Sequence, residues 1–219
     1  MPDGVDKTIL DGQQRHWELM LSDNPDRFGL EPSESAVAAA TQFRSAGVDR
    51  LVELGAGQGR DSFYLLGEGF DLTVTDYSQS GLDAIADRAG ERGLSISCVH
   101  NDVREALPFP DASFDACYSH MLFCMALTTR QLKALVSEIR RVLGSGGLLT
   151  YTARTTDDVH FGTGIDRGDD MFEHGGFIVH FFSPELIEEL SEGFEIIDRL
   201  HFEEAGLPRR LVSVTMRRA

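Results

Sequence analysis

Three glycines at alternate positions, Gly55, Gly57 and Gly59, lie between a short apolar segment and a helix-like run. Glycine permits positive φ angles and lets a ligand approach the backbone closely, because it has no Cβ atom. The unpaired N–H groups at the start of the following helix form a natural site for a carboxylate or a phosphate. The turn therefore predicts a nucleotide-like ligand.

The spacing of the glycines separates two kinds of nucleotide ligand. The dinucleotide fingerprint, G-x-G-x-x-G, would place its last glycine at position 60, which is Arg60. The third glycine instead comes one residue earlier, at Gly59. Asp76 ends the next apolar segment, 19 residues after Gly57, and can accept hydrogen bonds from ribose hydroxyls. This acid predicts a ribose and leaves the identity of the ligand open.

Several motifs in order resemble one enzyme family. The pattern E-x-G-x-G-x-G from Glu53 to Gly59 resembles the first motif of the class I S-adenosylmethionine-dependent methyltransferases. Residues 107–119, LPFPDASFDACYS, resemble the family's LPFxDxSFDxV segment, and residues 138–152, EIRRVLGSGGLLTYT, resemble its EIxRVLKPGGxLxxx segment. The resemblance implies S-adenosylmethionine as cofactor and methyl transfer as activity. Residues 55–78 are most similar to the tellurite-resistance-type branch, which acts on small acceptors.

The resemblance also implies which residues hold the cofactor. The expected set is Glu53, Gly55, Ala56, Gly57, Asp76, Tyr77, Asp102, Val103 and Ser119. In this assignment Glu53, Gly55 and Gly57 line the methionine part, and Ser119 lies on its far side. Asp76 binds the ribose. The adenine is bound by Tyr77, Asp102 and Val103.

His120 is the leading catalytic candidate, because the resemblance places the residue after the fourth strand between cofactor and acceptor. A base helps to deprotonate a hydroxyl, amine or carbon acid, and histidine is the usual one. The other interpretation of His120 is a residue that only packs or caps. His160, His174 and His180 are weaker candidates. With Asp166, Asp169 and Asp170 they offer metal-ligand types but no tight ligand spacing, so no metal site is predicted.

Strand-like and helical segments alternate from residue 36 to 152, which predicts a parallel sheet with helices on both faces. The expected fold is α/β, a Rossmann-like doubly wound sheet of seven strands. The resemblance implies that the last strand is antiparallel. We expect a single methyltransferase domain over 1–219, divided into N-terminal helices that form a cover (1–46), a cofactor-binding core (47–154), a lid over the acceptor pocket (155–182), and a C-terminal helix with closing strands (183–219).

The composition restricts the partners. A net charge of −16 gives no attraction to nucleic-acid phosphates or anionic membranes. No apolar run approaches the ~20 residues of a membrane helix, and the acidic residues 1–6 do not resemble a secretory signal. Three cysteines without metal-ligand spacing fit a reducing cytoplasm. We predict a cytoplasmic enzyme with a small-molecule acceptor. The acidity fits a salt-adapted host as well as an ordinary solvated surface.

Two other functions stay open from the sequence. An NAD-dependent oxidoreductase would share Asp76, but Gly59 in place of a glycine at position 60 argues against it. A non-catalytic module that binds S-adenosylmethionine is compatible with the same motifs. The intact glycine turn, the ribose acid and the adenine-side acid favour an enzyme, together with a lid segment whose aromatic residues indicate order. Trp17 and Phe28 either cover the cofactor's sulfonium or pack on the core, and the second interpretation is preferred.

Overall fold

The computed structural model describes residues 7–24, 28–204 and 208–219. The helices in these ranges are α1 (Lys7–Asp23), α2 (Glu34–Ser45), α3 (Arg60–Gly67), α4 (Gln79–Glu91), α5 (Thr129–Val142) and α6 (Pro184–Leu190). The strands are β1 (Arg50–Leu54), β2 (Asp71–Asp76), β3 (Ser97–His100), β4 (Phe114–Ser119), β5 (Leu143–Arg154), β6 (Ile165–Gly168), β7 (Met171–His174), β8 (Phe177–His180), β9 (Phe194–Glu203) and β10 (Arg210–Arg218). The acidic segment 1–6 lies outside the described residues.

Seven strands form the main sheet, in the order β3-β2-β1-β4-β5-β10-β9. The strands from β1 to β5 pair in parallel, and β10 runs antiparallel to both β5 and β9. The chain reverses its winding direction between β1 and β4, so the carboxyl ends of these two strands flank a crevice. Ligands bind at such a switch point in open α/β sheets. The predicted doubly wound sheet with an antiparallel last strand is confirmed.

Two apolar cores cover the two faces of this sheet. One core joins α2, α3 and α4 to the sheet and includes the fully buried Phe43, Leu65 and Ile85. The other joins α5 and α6 to the opposite face. Helix α5 has buried apolar residues at helical spacing, Leu132, Leu135, Val136, Ile139 and Val142. Burial of these side chains, about 1.5–3 kcal/mol each, holds the sheet rigid under the crevice.

A second, smaller sheet forms within the segment 155–182. Strands β6, β7 and β8 pair antiparallel in that order. Met171 and Ile178 of this sheet are buried in a small cluster with Leu10 of α1 and Ala126. The segment is therefore an ordered meander that packs against α1 and against the loop after β4.

Strand β3 begins at Ser97, because the Leu94 N–H closes the end of α4 by donating to the Ala89 carbonyl at 2.9 Å. The N-terminal helix α1 extends over Lys7–Asp23. None of the described helices has the length and apolar character of a membrane-spanning segment.

Candidate cofactor and acceptor site

A cleft lies at the carboxyl ends of β1, β2 and β4, next to α1. Its empty volume is about 460 Å³, counting the open mouth. The lining includes five of the predicted cofactor residues: Gly55, Asp76, Tyr77, Asp102 and Val103. The remaining lining residues are Leu10, Gln13, Asn101, Arg104, Leu122, Met125, Ala126 and Leu127.

The glycine turn joins β1 to α3 and is fixed by Asp76. The Gly57 N–H donates to Asp76 Oδ2 at 2.8 Å, and the Ser78 N–H donates to Oδ1 at 2.8 Å. Burial raises the pKa of the Asp76 carboxyl, although these backbone donors act against the rise. A Cβ on Gly57, at φ +56°, would meet only open space. The turn is thus an open backbone cradle beside a buried carboxylate.

Gly59 has a different role in the same turn. It is the N-cap of α3 in the left-handed region, with φ +82°, and a Cβ there would lie 2.7 Å from Ile85 Cγ1. Glycine therefore allows α3 and α4 to pack closely beneath the turn. The third glycine of the motif serves helix packing, whereas the second leaves room at the cleft.

Glu53 lies beneath the glycine turn and is not among the cleft-lining residues. It is 3% exposed, and Ser62 Oγ donates to its Oε2 at 2.5 Å. Burial, aided by the charge of Asp61, raises the pKa of Glu53 to about 8. The carboxyl therefore carries a proton at neutral pH and joins β1 to the first turn of α3.

Asp102 lies in the cleft but is tightly bound by Arg104. Arg104 Nε donates to both oxygens of Asp102 at 3.0 Å, and Nη2 donates to Oδ2 at 2.6 Å. Burial acts to raise the pKa of Asp102, but these bonds outweigh it and the pKa is lowered. Arg104 Nη1 also donates to Asp11 of α1 at 2.7 Å. One arginine thus connects the predicted adenine-side acid to the N-terminal helix.

Helix α1 covers the cleft from two sides. Gln13, which is buried, donates to the Gly176 carbonyl at 2.9 Å and accepts from the Ile178 N–H at 3.1 Å, so its amide extends the pairing of β8. Gln14 donates to the Tyr77 carbonyl at 3.2 Å on the cofactor side. The helix therefore connects the cleft-lining loops to the lid.

Trp17 does not line the cleft. Its ring contacts Phe177 of β8, with centroids 5.0 Å apart, and lies 6.3 Å from the ring of Phe28. The aromatic pair thus packs between α1 and the lid. The preferred interpretation, in which these rings pack and do not face the cofactor, agrees with these contacts.

His120 follows β4 at the carboxyl edge of the sheet, and its ring is half-buried. Its Nδ1 lies 2.9 Å from Thr152 Oγ1 of β5. Burial lowers the pKa of His120, so the ring is neutral at neutral pH. Nε2 has no hydrogen-bond partner among the described residues. Ser119, the preceding residue, is fully buried and donates to the Leu54 carbonyl at 3.0 Å, which ties β4 to β1.

His160 belongs to a different cluster, at the start of the lid. Arg154 donates to Asp158 through Nε at 3.1 Å and Nη2 at 2.5 Å, and Nη2 lies 2.7 Å from His160 Nδ1. The Arg210 N–H donates to Asp158 Oδ2 at 2.8 Å. Asp158 is 4% exposed. Burial acts to raise its pKa, but the Arg154 and backbone bonds outweigh it, so the pKa is lowered. The cluster joins β5, the lid and β10.

His180 is a buried residue of the lid sheet. It is 1% exposed, and its Nδ1 lies 2.7 Å from the Leu127 carbonyl. Since a carbonyl only accepts, Nδ1 carries a proton, and burial lowers the pKa of the ring. The structure therefore separates the candidate histidines: His120 lies at the sheet edge, His160 in the Arg154 cluster, and His180 between the lid and the loop after β4. The fourth candidate, His174, ends β7, and its ring centroid lies 5.3 Å from that of His160. No group of metal-ligating residues large enough to hold an ion occurs within the described ranges.

Comparison with known proteins agrees with this geometry. Residues 51–147 match a family model described as a methyltransferase domain. Over 111 residues the chain is 28% identical to TehB of Haemophilus influenzae, named a probable S-adenosyl-L-methionine-dependent methyltransferase. Residues 51–147 are therefore similar to the methyltransferase domains of S-adenosylmethionine-dependent enzymes. The match covers 50% of this chain and 38% of TehB, so the chain spans well under two thirds of that relative.

Solved methyltransferases share the fold well beyond the matched segment. The N-methyltransferase NodS from Bradyrhizobium japonicum has a TM-score of 0.70 at 16% identity, covering 94% of this chain and 98% of NodS. The 1,6-didemethyltoxoflavin-N1-methyltransferase of Burkholderia thailandensis has a TM-score of 0.68 at 19% identity, covering 85% and 79%. The predictions of a methyltransferase domain and of S-adenosylmethionine as its cofactor are confirmed. The similarity to one branch of the family is weak, because the TehB match covers half of the chain.

The cleft has the donor and acceptor groups that S-adenosylmethionine requires. A ribose in the cleft would meet the Asp76 carboxylate, and a Cβ on Gly57 would meet only open space. Asn101 Oδ1 is buried at the cleft without a hydrogen-bond partner in the described chain, and its amide nitrogen donates to the Ala106 carbonyl at 3.3 Å. An unpaired buried acceptor at this position suits an amino group of a ligand. The residues present therefore fit the cofactor.

Sequence reasoning missed Asn101 and Gln13. Asn101 directly follows β3 and precedes the predicted Asp102, and this position could have identified it as a cleft residue. Gln13 is a polar residue with a buried position on a helix, and its partners lie more than 160 residues away. No local pattern identifies such a contact.

Proposed function

We propose that this chain transfers a methyl group from S-adenosylmethionine to a small-molecule acceptor by in-line displacement. The observation that carries the proposal is the cleft at the β1–β4 switch point, with Asp76 in its wall. His120 directly follows β4 at the same edge of the sheet. Three functions were compatible with the sequence, and the family match makes the oxidoreductase the weakest of them.

Charge supports a small neutral or cationic acceptor. The net charge of −16 disfavours nucleic acids and other polyanions. The acidic residues of the lid would also repel an oxyanion acceptor. Two structural relatives are described as acting at nitrogen: NodS as an N-methyltransferase, and the Burkholderia enzyme as an N1-methyltransferase with 1,6-didemethyltoxoflavin bound. The cytoplasmic location stays a prediction.

When bound, the cofactor supplies a methyl group on a sulfonium sulfur. The sulfonium is a good leaving group, because the sulfur departs as a neutral thioether. The chain's own residues would bind and orient the reactants. Asp76 would accept the ribose hydroxyls, and Tyr77, Asp102 and Val103 would form the adenine side. Correct orientation alone contributes on the order of 7–11 kcal/mol to well-aligned reactions.

The methionine side would be formed by the glycine turn of Gly55, Ala56 and Gly57. The N–H groups of this turn donate to the Thr75 carbonyl and to Asp76, which fixes its shape. Glu53 and Ser119 would support that turn through their buried hydrogen bonds. His120 would contact the acceptor, since it follows β4 and has a free ring nitrogen. His160 and His180 would act through the lid, and we assign them no contact with the reacting atoms.

The test is incubation of the full chain with S-adenosylmethionine and a panel of small amines, phenols, carboxylates, thiols and oxyanions. The readout is formation of S-adenosylhomocysteine. We expect turnover with a subset of neutral or cationic acceptors and none with DNA or RNA. Binding of S-adenosylmethionine without turnover on any acceptor would support the non-catalytic module instead.

A further inference from the structure

The Thr152 hydroxyl lies between two groups of the loop that follows β4. It is fully buried at the end of β5. The Met121 N–H donates to Thr152 Oγ1 at 2.9 Å, and His120 Nδ1 lies 2.9 Å from the same oxygen. The Thr152 side chain therefore contacts both the Met121 backbone and the His120 ring, in the loop that follows β4.

A count of protons determines the direction of the second hydrogen bond. A threonine hydroxyl has one proton and two lone pairs. The backbone N–H uses a lone pair, so the hydroxyl proton remains to be donated. Among the described residues, His120 Nδ1 is the one acceptor within reach of that proton. If Nδ1 carried the proton instead, a buried hydroxyl would be left without an acceptor, which is unfavourable.

The backbone turn directly after His120 is held by the same Thr152 hydroxyl. Met121 has φ +65°, a left-handed conformation that non-glycine residues rarely adopt. Strained residues of this kind persist where the surroundings hold them, often at functional sites. The bond from the Met121 N–H to Thr152 is one of the contacts that hold it. The same hydroxyl thus fixes the turn and the ring.

We propose that Thr152 is a positioning residue that holds His120 as the Nε2–H tautomer, so that the ring presents a proton donor to the acceptor. This inference rests on the proposed function. The donor would bind a carbonyl oxygen adjoining the nucleophile. The ligand class is therefore a small acceptor with such an oxygen.

The tautomer also restricts the chemistry of the nucleophile. With the Nδ1 lone pair engaged by Thr152 and a proton on Nε2, neutral His120 has no free lone pair with which to act as a base. The acceptor must then bring its own lone pair, as a neutral amine does. Burial is the main cause that lowers the pKa of His120, and the charges of Arg60 and Arg209 act in the same direction. The charges of Asp61 and Glu204 act to raise it but are outweighed.

The test is a spectrum of the ring nitrogens in the full chain with isotope-labelled histidine. The chain has seven histidines, and His120→Gln identifies the signal of interest by its loss. Two-dimensional spectra that link ring protons to ring nitrogens distinguish the two tautomers. We expect the Nε2–H tautomer for wild-type His120. The Nδ1–H tautomer in wild type would overturn the proposal, whatever the variants do.

Two variants at Thr152 separate the hydroxyl from the packing. Thr152→Ser retains the proton and should retain the Nε2–H tautomer. Thr152→Val matches the shape without the proton and should lose that preference. An unchanged tautomer in Thr152→Val would refute the positioning role, and Thr152→Ser decides the question if the valine variant does not fold. Calorimetric titration of wild type with S-adenosylmethionine reports on the proposed function independently of the tautomer.

Discussion

Replacement of Glu53 by glutamine should stabilise the protein, and more so as pH rises. Glu53 is buried beside Ser62, and its pKa is raised to about 8 from an ordinary value of 4.5. Between these two values the folded chain binds a proton that the unfolded chain has released. Each rise in pH within this window therefore favours unfolding. Glutamine has nearly the same shape, can accept from Ser62, and carries no charge to bury.

The size of the effect follows from the shift. One pKa unit corresponds to about 1.4 kcal/mol. At about pH 7 the raised pKa of Glu53 therefore lowers the free energy of unfolding of the wild type by roughly 3 kcal/mol, compared with a carboxyl whose pKa is the same in the folded and unfolded chain. At about pH 5 the same loss is below about 1 kcal/mol. Glu53→Gln should therefore exceed wild type in free energy of unfolding by roughly 2.5 kcal/mol more at the higher pH than at the lower pH.

Urea unfolding of both proteins across this pH range measures the difference directly. Glu91→Gln is a matched control, because it removes one carboxylate from an exposed position at the end of α4. The control should change the free energy of unfolding by at most about 0.5 kcal/mol. A constant gap between Glu53→Gln and wild type at all pH values would refute the assignment of a protonated Glu53.

Two further substitutions test the packing around the site. Gly59→Ala should destabilise the fold by about 2 kcal/mol in urea unfolding, because the residue has φ +82° and a Cβ would meet Ile85. Gly67→Ala, in open space within α3, is the control and should be neutral or stabilising; equal losses for both would contradict the packing argument. Asp158→Asn leaves Arg154 buried without its partner and should cost about 3–5 kcal/mol, whereas the exposed Asp157→Asn should cost little. Thermal unfolding of both asparagine variants measures this, and similar midpoints would argue against the buried ion pair.

Much of the fold could be predicted because its signals are local. Apolar segments alternating with helical ones predicted the doubly wound sheet. The glycine turn and Asp76 predicted the cleft, since the ends of neighbouring parallel strands meet at one edge of a sheet. The order of the motifs predicted the cofactor. In each case a few adjacent residues carry the information.

The remaining features depend on contacts between distant segments. The lid is rich in glycine and acids and lacks the alternation that indicates strands, yet it forms β6–β8 by packing on α1. Gln13 joins α1 to β8 across most of the chain, and Thr152 meets His120 from a different strand. The four candidate histidines are of one residue type, and their surroundings in the fold distinguish them. No spacing in the sequence predicts these pairs.

The most direct test of the account is calorimetric titration of the chain with S-adenosylmethionine and, separately, with NAD. The variant is Asp76→Ala, and Asp71→Ala is its control, an exposed acid at the opposite end of the same strand. We predict binding of S-adenosylmethionine alone, lost in Asp76→Ala and retained in Asp71→Ala. Binding of NAD, or equal binding of S-adenosylmethionine by both variants, would contradict the assignment of this cleft.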